Sequence, residues 1–240
     1  MKVQVVELPR LLQPHHLPGR SVVVFDVLRA TTSITSALMA GVTEVRIFGS
    51  LAEAEAAAGA FTGRRLLCGE QACLMPAGFD LGNSPGQFVP ETHRGMTAFL
   101  STTNGTRAIV AAKAAPAMFT GCLLNASAVA RRLAAIGNDV TLLCSGTEGD
   151  ISPDDMIGAG AVIAGLQRVG SCDIDGGAAG NAKSLFDQAA SDLPAALAAT
   201  TAGRNVIRAG LAPDVAFAAR LDVTDVVGEV KGDPLRVVIC

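Results

Sequence analysis

The run Val22-Val23-Val24-Phe25 is apolar without alternation, the pattern of a strand covered on both faces of a parallel sheet. It passes directly into Asp26-Val27-Leu28-Arg29-Ala30-Thr31-Thr32-Ser33, after which Ile34 and Leu38 begin a helical stripe that Gly41 ends. The same grammar of apolar strand, polar loop and Ala-rich helix recurs twice. Thr97 to Leu100 leads through Ser101-Thr102-Thr103-Asn104-Gly105-Thr106-Arg107 into Ala108 to Ala112. Val140 to Cys144 leads through Ser145-Gly146-Thr147-Glu148-Gly149-Asp150 into a helix from Asp154 to Leu166.

Between these units the pattern predicts strands at Val3 to Glu7, Val45 to Phe48, Arg65 to Cys68 and Ala117 to Thr120, and helices at about Thr32 to Ala40, Thr106 to Lys113 and Ala126 to Ile136. Ser50-Leu51-Ala52-Glu53 has the spacing of a capping box, and Gly59 closes the helix that follows. After Asp154 the chain is mainly helical, divided by Pro194, Gly203, Gly210 and Pro213. Asp225 to Val230 and Leu235 to Ile239, joined by Lys231-Gly232-Asp233-Pro234, predict a closing hairpin. Short βα repetition of this kind predicts a three-layer α/β/α fold with a parallel or mixed central sheet. No linker divides the chain, so residues 1–240 read as one domain.

Asp26 then falls at the carboxyl end of a strand, where open α/β sheets bind their ligands. Taken alone, Asp26, Thr31 and Ser33 are more often helix caps than ligands, and repetition of the loop grammar is what moves the balance. Glu70 follows another predicted strand and is expected at the same edge. Gly78-Phe79-Asp80-Leu81-Gly82-Asn83-Ser84-Pro85 describes a tightly bent loop beside it. The edge so assembled carries Asp26 and Glu70, with Asp80, Asp150, Asp154 and Asp155 as further candidates. It also carries Arg29 and hydroxyl or amide donors from Thr31, Thr32, Thr102, Thr103, Asn104 and Thr106. Hard oxygen ligands suit Mg²⁺, and helix N-termini suit a phosphate. Phosphoryl chemistry on a small anionic phosphoester fits this set best.

Composition narrows the alternatives. The chain has 19 basic and 22 acidic residues, and no Trp or Tyr. It lacks the basic stripes and stacking platforms of nucleic-acid binding. No apolar run approaches the roughly 18 residues of a membrane span, and the start at Met1 alternates like a strand, so a soluble cytoplasmic protein is expected. The six cysteines show no metal-ligand spacing and read as buried thiols in a reducing compartment. Cys144 ends a strand, but a thiolate needs a cationic setting, and packing is the favoured reading. Asn125 reads as a helix cap. Ala-rich apolar helices are compatible with a homodimer. Neither a Gly-x-x-x-x-Gly-Lys-Ser/Thr loop nor a Gly-x-Gly-x-x-Gly turn is present. Leu28 stands two residues after Asp26, where phospho-aspartate phosphatases place an acid.

Phe25-Asp26-Val27-Leu28-Arg29-Ala30-Thr31-Thr32, Gly69-Glu70, the loop from Gly78 to Pro85, Thr102-Thr103-Asn104-Gly105-Thr106 and Ser152-Pro153-Asp154-Asp155-Met156-Ile157-Gly158-Ala159-Gly160 together resemble the 2-phosphosulfolactate phosphatase (ComB-like) family. The similarity continues from Gly203-Arg204-Asn205 to Asp222. This resemblance implies the ComB-like α/β fold and a Mg²⁺-dependent phosphatase that converts 2-phospho-3-sulfolactate to 3-sulfolactate and phosphate, on the route to coenzyme M. Asp26, Arg29 and Glu70 would be catalytic, with Asp26, Glu70 and Asp155 toward the metal. Thr31, Thr32, Asn83, Ser84, Thr102, Thr103, Asn104, Gly105 and Thr106 would hold substrate. Thr147-Glu148-Gly149-Asp150 departs from the family pattern, as does the pair Asp154-Asp155. The added charge bears on the substrate more than on the reaction type. A phosphatase of another small phosphorylated acid, or a non-catalytic anion binder, is the alternative.

Overall fold

In the computed structural model, which describes residues 1–170, 172–174 and 176–240, Val22 to Phe25 are wholly enclosed. The chain order begins β1 (Lys2–Val6), β2 (Arg20–Phe25), α1 (Ala30–Met39), β3 (Glu44–Ile47), α2 (Leu51–Gly59), β4 (Arg65–Gly69), α3 (Pro90–His93) and β5 (Thr97–Ser101). It continues α4 (Gly105–Ala111), β6 (Ala117–Gly121), α5 (Ala126–Ile136), β7 (Asp139–Cys144), α6 (Pro153–Arg168), β8 (Asp173–Ile174) and α7 (Gly177–Ala189). The last elements are α8 (Leu193–Ala198), α9 (Thr201–Arg208), α10 (Ala212–Ala218), β9 (Gly228–Lys231) and β10 (Arg236–Ile239).

All these strands join one mixed sheet in the order β4-β5-β3-β10-β9-β6-β2-β7-β1-β8, with helices on both faces, a three-layer α/β/α arrangement. The segment from β6 to β8 is parallel, as is the segment β4-β5-β3. The expected hairpin is present, but it is wedged into the middle of the sheet, with antiparallel pairing on both sides and within it. Three successive antiparallel steps make β4 and β5 run opposite to β2.

A shared strand direction therefore does not explain why Glu70 joins Asp26. One hydrophobic cluster instead unites Val22 and Val24 of β2 with Leu66 of β4 and Leu100 of β5 around Ile34, Leu38 and Ile109. The loop after β5 bridges the two acids, since its Thr103 N–H donates to Glu70 and its Gly105 lies against Asp26. The period-two alternation persists throughout. Val23 and Phe25 pack on the other face with Val129, Val162 and Phe186, and Phe99 packs there under Ala54 and Ala58. Each fully buried Val, Leu or Phe contributes about 1.5–3 kcal/mol to this core.

Several boundaries differ from the sequence reading for identifiable reasons. α1 begins at Ala30, so Thr31 and Thr32 lie inside its first turn rather than before it. Ser50 accepts from the Glu53 N–H, but the Glu53 carboxylate reaches the Gly49 N–H, one residue further out than in a capping box. Gly59 is the last residue of α2, and Ala60 ends the helix. Pro194 and Pro213 open α8 and α10, since proline suits a first turn where no N–H is needed. Gly203 lies within α9, where a Cβ would come 1.9 Å from the Leu197 carbonyl oxygen. Asn125 bonds backward to Cys122 and to Val226 rather than capping α5, and Asp222 takes the Ser127 N–H instead. Of the cysteines, Cys68, Cys122 and Cys144 are buried, Cys73 and Cys172 are half-buried and Cys240 is exposed, with all six thiols free. No helix among the described residues is long and apolar enough to cross a membrane.

Candidate active site

Asp26 leaves β2 and joins two helix starts. Its Oδ1 accepts the Ala30 N–H at 3.1 Å, at the head of α1, and the Gly105 N–H at the head of α4 bonds to the same carboxylate. Capping is thus a real part of its role. The Thr31 hydroxyl locks the turn by accepting the Asp26 N–H and donating to the Asp26 carbonyl. Gly105 must be glycine, because a Cβ there would sit 2.6 Å from Asp26 Oδ2 and 2.5 Å from Ala30 Cβ. Burial pushes the Asp26 carboxyl up to about 7. The Ala30 N–H opposes that rise, and the charges of Asp154 and Glu70 add to it.

Glu70 stands just past β4, where Gly69 lets the chain pass close to Phe79 and the Ser101 carbonyl. Its Oε1 accepts the Thr103 N–H at 2.7 Å and its Oε2 the Cys73 N–H at 2.9 Å. Cys73 belongs to a two-residue turn closed by reciprocal bonds between Gln71 and Leu74. Both central residues, Ala72 (φ 50°) and Cys73 (φ 67°), are left-handed, a conformation such turns normally give to Gly or Asn. A second turn of the same kind joins Thr147 to Asp150, with Glu148 at φ 55° and Gly149 at φ 86°. Left-handed non-glycine backbone persists only where its surroundings hold it, and it gathers at functional sites. Here Ala72, Cys73 and Glu148 line one cavity.

Arg29 is almost completely enclosed in the wall of that cavity. Its Nη1 donates to Asp214 Oδ2 at 2.6 Å and to Ser84 Oγ at 3.2 Å, and its Nη2 donates to the Cys73 carbonyl at 2.6 Å. Ser84 also donates to Asp214. The bent loop that supplies Asn83 and Ser84 is strapped to α1 by Ser33, which donates to the Asn83 carbonyl, and Ser36, which donates to the Pro85 carbonyl. Asn83 is 4% exposed, lines the cavity, and has a side-chain oxygen without a hydrogen-bond partner. Buried polar atoms are so regularly paired that this exception marks a place for a ligand or water.

Asp154 and Asp155 open α6 beneath the same region. Asp155 accepts the Val27 N–H through Oδ1 and the Ser145 and Gly146 N–H groups through Oδ2, tying the loop after β2 to the loop after β7. Asp154 accepts from Ser152. Burial raises both carboxyls, and the charges of Asp154 and Asp26 raise Asp155 further, against the pull of its N–H donors. No group of three His, Cys, Asp or Glu side chains among the described residues is arranged to cage a metal. What the site offers is Asp26 and Glu70 near enough to interact, Asp154 behind them, and no ion-pair partner on Asp26 among the described residues. Uncompensated carboxylates of this kind fit Mg²⁺, which takes one or two protein carboxylates and completes its shell with water and substrate oxygens.

The sequence candidates thus divide by position. Arg29, Glu70, Asn83, Thr103 and Asn104 line the cavity, whose volume is about 130 Å³. Asp26 lies just beneath it, pressed against Gly105. Thr32 donates to the Val27 carbonyl, and Thr102 and Thr106 cap each other, so with Thr31 these hydroxyls are committed to backbone. Ser84 holds Asp214, and Asp155 is occupied by its three N–H donors. Asp80 accepts the Leu67 N–H and pairs with Arg65, and Asp150 is exposed. Polar cavity residues outside the sequence candidates include Cys73, Thr147, Glu148 and Asn205, and Asp214 stands behind Arg29. Only the unusual Thr147 to Asp150 segment and the family-like Gly203-Arg204-Asn205 gave a signal for any of them. Cys144 packs its sulfur 3.8 Å from that of Met156, and burial raises its thiol well above the usual range, which leaves no thiolate.

The family model described as 2-phosphosulpholactate phosphatase matches residues 6–233. A protein of Carboxydothermus hydrogenoformans is 36% identical over 230 residues, covering 95% of this chain and 93% of its own. One from Synechococcus sp. strain CC9605 is 42% identical over 211 residues, covering 85% and 84%. Another, from Caldanaerobacter subterraneus subsp. tengcongensis, is 40% identical over 176 residues, covering 73% of each. All three carry the name "Probable 2-phosphosulfolactate phosphatase". With the match spanning nearly the whole chain and relatives at 36–42% identity, this chain belongs to the 2-phosphosulpholactate phosphatase family of phosphoric monoester hydrolases.

Proposed function

We propose that the protein is a Mg²⁺-dependent phosphatase that hydrolyses 2-phospho-3-sulfolactate to 3-sulfolactate and phosphate. The observation that carries this reading is the meeting of Asp26 and Glu70, two carboxylates without a cation, with the buried guanidinium of Arg29 at one small cavity. In the reaction a water oxygen bonds to phosphorus, the ester P–O bond breaks, and a proton from water ends on the released alkoxide. Asp26 and Glu70 are the residues that would hold Mg²⁺, which when bound supplies Lewis-acid stabilisation of the phosphoryl charge.

The chain's own groups orient the substrate. Arg29 is held by three partners, so its position is fixed before an anion arrives, and little reorganisation is needed when charge develops. Thr103 and Asn104 lie at the head of α4, where the helix end favours negative charge. The unpaired Asn83 oxygen offers an acceptor to a water or to a substrate hydroxyl. Phosphate release from 2-phospho-3-sulfolactate, followed with Mg²⁺ and again with excess chelator, tests the reading. Metal-dependent release is expected. Binding of the ester without any release would make the protein an anion binder, and full activity in chelator would remove the metal from the mechanism.

A further inference from the structure

The active-site cavity opens into a second, wider depression of about 340 Å³, which shares Cys73, Glu148 and Asn205 with it and adds Arg208. Along this shared wall runs a short relay. Arg208 Nη1 donates to Asn205 Oδ1 at 3.3 Å, and Asn205 Nδ2 donates to Glu148 Oε1 at 2.9 Å. Both ends of the Asn205 amide are engaged, holding a cation and an anion apart. Arg208 is exposed and forms no ion pair among the described residues, whereas Arg29 in the neighbouring cavity is bound to Asp214.

A phosphorylated sulfolactate carries phosphate, carboxylate and sulfonate on a three-carbon frame. The cavity proper offers it one guanidinium already paired, against Glu70 and Glu148. More positive charge is needed, and the wider depression supplies it within the same wall. Glu148 sits at the left-handed tip of its turn, exposed, and holds the Asn205 amide that an incoming anion would want. We propose that Asn205 and Arg208 form the subsite for the substrate's non-reacting sulfonate, which takes the place of Glu148 on the Asn205 amide. Two sulfonate oxygens then accept from the Asn205 Nδ2 and the Arg208 guanidinium, while the phosphate enters the inner cavity. The inference rests on the phosphosulfolactate reading above and assigns the part of the site that recognises the acid rather than the ester.

Its test compares 2-phospho-3-sulfolactate with 2-phospholactate, which keeps phosphate and carboxylate and lacks the sulfonate. Arg208→Ala should lower kcat/KM about tenfold more for the sulfonated substrate than for the analogue, acting through KM, as expected for loss of one charge-assisted contact. Glu148→Gln should shift the same ratio the other way, because it removes the competing charge and keeps the shape. Equal effects of Arg208→Ala on both substrates, or none, would overturn the subsite and leave the phosphatase reading standing. A wild-type protein that turns over neither ester would overturn both. Arg208→Lys adds a control: with charge retained and the fork lost, it should fall between wild type and Arg208→Ala for the sulfonated ester.

Discussion

Arg29 and Asp214, 185 residues apart in the chain, meet at 2.6 Å in an ion pair that is almost wholly enclosed. The pair joins the loop after β2 to α10, so the guanidinium in the cavity wall is positioned by a distant part of the chain. Removing one partner of a buried pair leaves the other charged and alone, a loss of about 3–5 kcal/mol. Asp214→Ala should therefore lower the melting temperature and activity together. Asp214→Asn keeps the volume and one acceptor, and should raise KM with a smaller loss of stability. An Asp214→Asn enzyme with native KM would separate the pair from substrate binding.

The buried carboxyls predict a characteristic response to pH and, on the proposed function, to Mg²⁺. Burial raises the folded-state pKa of Asp26 to about 7, above its ordinary value of 3.8, and raises Asp154 and Asp155 in the same direction. A raised acid contributes its stability fully below the unfolded pKa and loses it as pH rises through the folded one. Without divalent cation, the contribution of Asp26 should fall between about pH 4 and pH 7, and those of Asp154 and Asp155 should fall in the same direction as pH rises. Mg²⁺ should restore melting temperature at pH 8 and have little effect at pH 5, where Asp26 holds its proton. Thermal unfolding with and without Mg²⁺ at both values decides this, and an unchanged melting temperature at pH 8 would count against a metal on Asp26.

Gly105→Ala asks whether the close approach of α4 to Asp26 matters. The added methyl would press on the Asp26 carboxylate and on Ala30 together, and neither is the free end of a flexible side chain. Overpacking of this sort costs about 1–3 kcal/mol. Turnover should fall with stability, because α1 and α4 must separate. Calorimetry beside steady-state kinetics would show it, and a variant with native melting and native kcat would mean that the two helix starts yield easily.

Cys144→Ala should retain its activity per folded molecule while losing stability. The thiol is fully buried, packs on Met156 and stays protonated, so it has no route to a nucleophile. Truncation to alanine leaves a small void in the core. Loss of turnover in a variant with native melting would revive a covalent role for the sulfur.

Local patterning makes most elements legible in the chain itself. α5 begins and ends where its pattern does, and β2 and β7 need only short extensions. The position of Asp26 at a strand end is equally readable, because strand period and helix stripe meet there. Its nearness to Glu70 has a different cause from the one strand order suggests, since strand direction reverses between β2 and β4 and the meeting runs through the Thr103 to Gly105 segment, which touches both acids. Thr31, Thr32, Thr102 and Thr106 resemble ligands because hydroxyls at helix starts serve backbone and substrate alike, and only hydrogen bonds tell them apart. Asp214 leaves no local trace. Its significance lies in a partner far away in the chain, which no periodicity encodes.

The hairpin β9–β10 gives this protein an order of assembly. β9 and β10 come last of the strands, yet they lie between β6 and β3 and, among the described residues, make the only strand pairing that joins the two parallel segments of the sheet. During synthesis, the segment bearing Asp26 and the segment bearing Glu70 can each form early, but each exposes an unpaired edge until residues up to Ile239 have left the ribosome. Such edges invite pairing with other chains, and joining them late requires contacts of long sequence separation, which fold slowly. The sheet is thus closed last in its middle: its two parallel segments become one sheet only when the final hairpin pairs with both.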